Sequence, residues 1–181
     1  MVVSMTTRLN RLDWLDHGLR TLASTGTNAL KAEPLARSLK VSRGSFYWHF
    51  RDIEQFHIEL LARWRQRTTA DIIARLELES GPGERLGLLM RLAMSADDRL
   101  ERNIRAWATE NPAASAAVAS VDSTRIEYLC RLLKSAGVSD KQASARALFI
   151  YWAYVGRIMS ASEHRTLAEE ESDRLAALLQ T

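Results

Sequence analysis

The densest run of side chains able to recognise or react with another molecule is Ser42-Arg43-Gly44-Ser45-Phe46-Tyr47-Trp48-His49-Phe50-Arg51. An arginine can pair two ways with guanine O6 and N7, and a serine hydroxyl can bond a base or a phosphate. Arg43 and Ser45 are therefore candidate base readers, with Gly44 between them keeping the approach unobstructed. If Arg43 opens a helix, the free N–H groups of that first turn also favour a phosphate. Phe46 and Phe50 share one helical face, whereas Tyr47 and Trp48 point elsewhere. Two large aromatics that a short surface helix need not bury are costly unless they touch something. Chemistry of other kinds has no comparable support. His17, His49, His57, His164 and Glu169–Glu171 lack metal-ligand spacing. Neither a glycine-rich phosphate loop nor a nucleophile elbow occurs. We expect no enzyme, cofactor or metal site. Cys130 is the single cysteine, which excludes an intrachain disulfide and a cysteine-based zinc site.

Helices must position these residues, because a period near 3.6 dominates the apolar pattern throughout. Leu9, Leu12, Leu15, Leu19 and Leu22 predict a first helix ending near Gly26. A short second helix covers about Ala32–Leu39, with Pro34 in its first turn, where a missing N–H costs little. Ser42 is a suitable N-cap for a third, Arg43–Phe50, and Asp52 for a long fourth whose buried face is Ile53, Phe56, Leu60 and Trp64. Two short helices joined by a tight turn have the shape of a helix-turn-helix.

Beyond the break at Ser80-Gly81-Pro82-Gly83, Leu86, Leu89, Met90 and Ala93 mark a fifth helix. Ile104 and Trp107 mark a sixth that stops at Asn111-Pro112. The seventh runs from about Ala113 to Ser135, closed by Gly137 as a C′ glycine. Ser139 or Asp140 caps an eighth carrying Leu148, Trp152, Val155 and Met159. The last spans about Leu167–Leu179. Nine helices and no strand are expected.

Composition agrees. The 181 residues are 46% hydrophobic and 26% charged, and only 8 Gly and 3 Pro are present. Those values exclude disordered, collagen-like and disulfide-scaffold chains and favour long helices with short connections. The formal charge of +3 divides unevenly. Residues 1–70 carry 11 basic and 6 acidic side chains, a net of +5, and the remainder 14 basic and 16 acidic, a net of −2. A basic head on a slightly acidic body is the asymmetry of a chain that meets a polyanion at one end. Met1–Arg8 shows no apolar segment after a basic one, and no apolar run reaches the roughly 18–20 residues of a membrane span. A cytoplasmic protein without membrane contact is expected.

The stretch from Leu35 to Phe50, with its Gly44-Ser-Phe-Tyr-Trp-His-Phe50 core and the following Arg51-Asp52, resembles the DNA-binding signature of TetR/AcrR-type repressors. The likeness extends over roughly residues 8–65. It implies an all-α fold with a helix-turn-helix DNA-binding domain at 1–52 and a helical ligand-binding and dimerisation domain at 53–181. By position, Arg43, Gly44, Ser45 and Tyr47 fall where family members contact bases. Tyr47, Trp48 and His49 fall where they touch the sugar-phosphate backbone, and Ser42 sits at the turn beside them. Where the family usually begins its second helix with Thr or Ser, this chain has Lys31, able to reach a phosphate as a charge. Where the fourth helix commonly offers a Lys, this chain has Ile53, with Arg51 the nearest substitute. The pattern Arg105-Ala-Trp107, Val118, Val121-Asp122 and Arg125 is similar to ligand domains in one branch of the family.

The resemblance further implies a palindromic double-stranded DNA operator as partner, a homodimer, and a small-molecule effector that releases the DNA. Trp64, Met90, Met94, Trp107, Tyr128, Tyr151 and Tyr154 either line the effector pocket or fill the core, which helical spacing does not distinguish. The last two helices would pair with their copies through Leu148, Trp152, Val155, Leu175 and Leu178. The competing reading is an all-helical small-molecule binding or adaptor protein that does not bind DNA.

Overall fold

The computed structural model describes residues 9–79, 81–95, 97–160 and 168–180. Ser80, His164 and Leu167, named above, lie outside them. The helical segments are α1 (Arg11–Thr25), α2 (Ala32–Ser38), α3 (Arg43–Tyr47), α4 (Ile53–Arg65), α5 (Asp71–Leu76), α6 (Pro82–Ser95), α7 (Arg99–Ala108), α8 (Pro112–Ser135), α9 (Asp140–Met159) and α10 (Glu169–Gln180). A 3₁₀ turn, Thr27–Ala29, precedes α2, and a wide π turn, Gln66–Ala70, joins α4 to α5. Helical backbone continues through that π turn, so α4, the turn and α5 form one rod. Ten helical segments thus make nine rods among the described residues, with no strand.

Local chemistry accounts for most helix ends. Asn10 accepts from the Asp13 amide and Asp13 returns the bond, a capping box. Asp52 accepts from the Gln55 amide at 2.7 Å, and Asn111 from Ala114 with Pro112 in the first turn. Gly26 and Gly137 end α1 and α8 at φ of 81° and 96°, a region that favours glycine. Two expected caps differ. Ser42 and Ser139 occupy N-cap positions, but neither hydroxyl caps its helix. Helix α3 also stops at Tyr47 rather than Phe50, its last residues tightening into the His49 N–H to Phe46 carbonyl bond.

The head packs on aromatics. Phe46 lies 5.5 Å from Trp14, 5.1 Å from Phe50 and 5.4 Å from Phe56 between ring centroids, all four rings being buried. Burying each such side chain contributes roughly 1.5–3 kcal/mol. The face of α1 that does this is Trp14, Leu15, Gly18, Leu19 and Leu22. Leu12, expected on it, is 53% exposed, because the stripe is centred one residue further round the helix. The same core includes Ile104 of α7 and Ala114 and Val121 of α8. Asn103 donates to the Leu22 carbonyl at 2.8 Å. Packing therefore crosses the division between residues 52 and 53 without a gap.

A second core joins α6, α8, α9 and α10 through Leu86, Met90, Leu129, Leu133, Ala147 and Ala176. Leu175, half-buried, packs against this cluster. Among the described residues, no helix is long and apolar enough to cross a membrane.

Candidate nucleic-acid interface and ligand cavity

Helices α2 and α3 meet through a turn in which Lys40 takes φ of 56° and the Val41 amide donates to the Ala36 carbonyl at 3.0 Å. That turn presents the start of α3 outward while Phe46, on its inner face, is held by Trp14 and Phe56. Arg43 is exposed, its guanidinium donating to the Tyr47 hydroxyl at 3.2 Å and lying 5.5 Å from the centre of that ring. Arg43 and Tyr47 are thereby arranged as one unit. A Cβ on Gly44 would meet only the Ser42 hydroxyl, at 3.7 Å, so nothing inside the protein demands glycine there. Any demand comes from outside.

Trp48 is 79% exposed and Tyr47 is exposed as well. Lys31 stands as N-cap of α2 with its side chain in solvent. Arg51 donates to Asp52 at 2.7 Å, but both ends of this pair reach solvent, where such pairs are worth little. Ser42 is exposed and Ser45 half-buried at the same end. His49 is half-buried with its ring 6.5 Å from Trp14, which commits part of it to the core.

Behind the head lies a cavity of about 400 Å³ bounded by α4, the π turn and α5 through α10. Six of the seven aromatic and methionine candidates line it: Trp64, Met90, Met94, Tyr128, Tyr151 and Tyr154. Trp107 does not. It turns toward the head, its ring edge-on to His57 at 5.0 Å and packed on the first core.

One end of the cavity carries a buried ionic network that the hydrophobic pattern did not reveal. Glu101, only 6% exposed, accepts from Arg105 and from Arg125, each at 3.0 Å. Arg105 also donates to Asp122 at 2.7 Å and to the Tyr151 hydroxyl at 2.9 Å, and Tyr151 donates to Asp122 at 2.6 Å. Arg125 continues to the π turn, reaching Thr69 Oγ1 at 3.1 Å and the Thr68 carbonyl at 3.2 Å. Burial pushes the Tyr128 hydroxyl up to about 12. Burial and the Asp122 hydrogen bond push Tyr151 up as well. Both are neutral phenols at physiological pH. The i, i+4 spacing of Glu101 and Arg105 was readable in advance. The reach of Arg125 to Thr68 was not, since the two are far apart in the chain.

An all-helical chain with an outward-facing α3 set on a tight turn, and a cavity behind it, has the build of a helix-turn-helix DNA-binding protein. Comparison with known proteins narrows this. Residues 15–60 match the family model for bacterial regulatory proteins of the tetR family. The HTH-type transcriptional regulator BetI of Rhizobium meliloti (strain 1021) is 27% identical over 93 residues, 51% of this chain and 46% of that protein. The match therefore spans about half the length of that curated relative. The reduced form of E. coli NemR superposes with a TM-score of 0.76 at 17% identity, covering 94% of this chain and 95% of that one. AibR in complex with isovaleryl coenzyme A and operator DNA superposes at 0.67 and 14% identity, covering 93% and 96%. At these identities the structures share the fold. The signature at 35–50 lies inside the segment matched by the tetR-family model.

Proposed function

We propose that the chain is a ligand-responsive transcriptional regulator that binds a palindromic operator as a dimer and leaves it when a small molecule enters the cavity. In this reading residues 1–52 form the DNA-binding head and 53–181 the sensing and dimerising body. Arg43, Ser45 and Tyr47 read bases, and Lys31, Ser42, Trp48, His49 and Arg51 hold the backbone, with Gly44 permitting close approach. One observation carries the proposal above all others. The rod made by α4, the π turn and α5 supports the recognition helix at one end through Phe56 and walls the cavity at the other with Trp64, Thr68 and Thr69. A ligand pressing on the far end tilts the near end, so the two recognition helices of a dimer no longer fit grooves one turn apart. A coupling of roughly 1–3 kcal/mol suffices. The π turn is the compliant point, since such turns recur at functional sites in helices.

Support for DNA and ligand binding also comes from AibR, whose structure holds both an acyl-coenzyme A and operator DNA. For dimerisation, support comes from α9 and α10, where Trp152 is 63% and Leu178 69% exposed, with Leu148 and Val155 half-buried on the same helix as Trp152. An exposed apolar face of this kind calls for a cover, and a second copy provides one by a two-fold contact. The test is a gel-shift titration with the DNA upstream of its own gene against unrelated DNA, across a salt series. Specific, salt-sensitive binding is the expected result. A protein with no salt-dependent affinity for any DNA would be the adaptor instead.

A further inference from the structure

The charges around the cavity are already spoken for. Five charged residues line it, and each has an opposite charge supplied by the chain itself. Arg67 shares Asp16 with Arg63, at 3.4 and 2.8 Å, Asp97 meets Arg99 at 2.6 Å, and Asp98 meets Arg157 at 2.7 Å. Glu101 and Arg125 meet each other at 3.0 Å. Within the buried network Arg105 and Arg125 are balanced by Glu101 and Asp122.

The aromatic faces are occupied in the same way. The Arg125 guanidinium lies 6.0 Å from the centre of the Trp64 ring and 5.9 Å from that of Tyr154. Arg157 lies 5.9 Å from Tyr154, and Arg131 5.4 Å from Tyr128. An ammonium ligand is recognised by open aromatic faces, and here three of them already carry a cation. An anionic ligand would need a free guanidinium, yet Arg125 spends its donors on Glu101, Thr68 and Thr69. A bare ionic group brought into this space would lose its water and gain no counter-charge. The rest of the wall is apolar, including Ile72, Ile73, Leu76, Leu89 and Met94.

We infer that the effector is an uncharged, predominantly apolar small molecule, selected against ions of either sign because every cavity charge already has an opposite charge within the chain. This rests on the proposal that the cavity is the effector site. A volume of about 400 Å³ falls within the range of small-molecule pockets.

The test uses the whole chain and the uncharged dye N-phenyl-1-naphthylamine, displaced in turn by 1-decanol, decanoate and decylammonium, which differ essentially in head-group charge. The dye should bind saturably and decanol should displace it, with each ion weaker by about ten-fold or more. Ile73→Phe and Leu89→Phe, on different parts of the wall, should each weaken dye binding about ten-fold while retaining the helical circular-dichroism spectrum. Either ion displacing as well as decanol would overturn the inference, as would equal dye binding by parent and folded variants. The regulator reading is scored separately, by DNA release. Dye and decanol that fill the cavity yet leave the operator complex intact would sink that reading while the preference for neutral ligands stands.

Discussion

Arg125 donates to the Thr68 carbonyl at 3.2 Å, and so α8 holds the one irregular turn in the rod that links cavity to head. The same guanidinium is held by Glu101. A single buried side chain thus ties the ionic network to the π turn that joins α4 to α5.

Removing it should be costly. Arg125→Met leaves Glu101 with one partner instead of two and strips Thr68 and Thr69 of their donor. The expected loss is about 3–5 kcal/mol, as for other broken buried pairs. Chemical denaturation measures it. A midpoint equal to the parent's would show that the network contributes nothing net.

Gly18 provides a second, purely steric test. A Cβ at this position would come within 2.7 Å of the Phe56 ring and 2.9 Å of Leu60, so α1 and α4 cross where only glycine fits. Gly18→Val should cost about 1–3 kcal/mol through overpacking. It should also weaken DNA binding, because Phe56 supports Phe46. A variant with unchanged melting temperature would contradict the close crossing.

At the DNA face, two substitutions should differ in kind. Arg43→Ala is expected to cost roughly 1–3 kcal/mol and relax preference at one base pair. Lys31→Ala should weaken all sequences alike and lower the salt slope by about one. Binding measured on a set of single-base operator variants separates the two. An equal loss on every sequence for Arg43→Ala would remove it from the base readers.

For the dimer, the informative sites are Trp152 and Leu178, both largely exposed, because Leu175 is half-buried and also packs within the protomer. Trp152→Glu and Leu178→Glu should each yield a monomer by light scattering with helix content retained. A dimer surviving both changes would place the interface elsewhere.

His17 supplies a pH dependence. Burial, aided by the positive charge of Arg20, holds its pKa below the usual histidine value, and its Nε2 sits 2.5 Å from the Ser38 hydroxyl. The unfolded chain takes up this proton near pH 6.5, whereas the folded one resists until lower pH. Stability from this group is therefore full above about pH 6.5 and declines as the pH falls below it. His17→Gln should flatten that decline in denaturation midpoints between about pH 7 and 5. A slope equal to the parent's would assign the effect to other groups.

Much of this was legible in residue order. Helix ends announced themselves at Asp52, Asn111-Pro112, Gly26 and Gly137, because capping and left-handed φ are settled by near neighbours. The two faces of α3 were equally plain, since Phe46 and Phe50 fall on one face and Tyr47 and Trp48 on others at helical spacing. What periodicity could not separate was Trp107 from Tyr151. Both occupy apolar helical positions, but α7 turns one toward His57 while α9 turns the other into the cavity.

A charge split between head and body, a signature of sixteen residues and a helical period were enough to read a helix-turn-helix on an all-helical chain. These are local properties, written within a few turns of backbone. The pairing of the cavity's charges is a different kind of fact. It depends on Arg67 finding Asp16, Asp98 finding Arg157, and Arg125 finding Glu101 and Thr68 across long stretches of chain. Such pairings exist only once the helices have packed, because charge cancellation is set by distances in space and not by order along the chain.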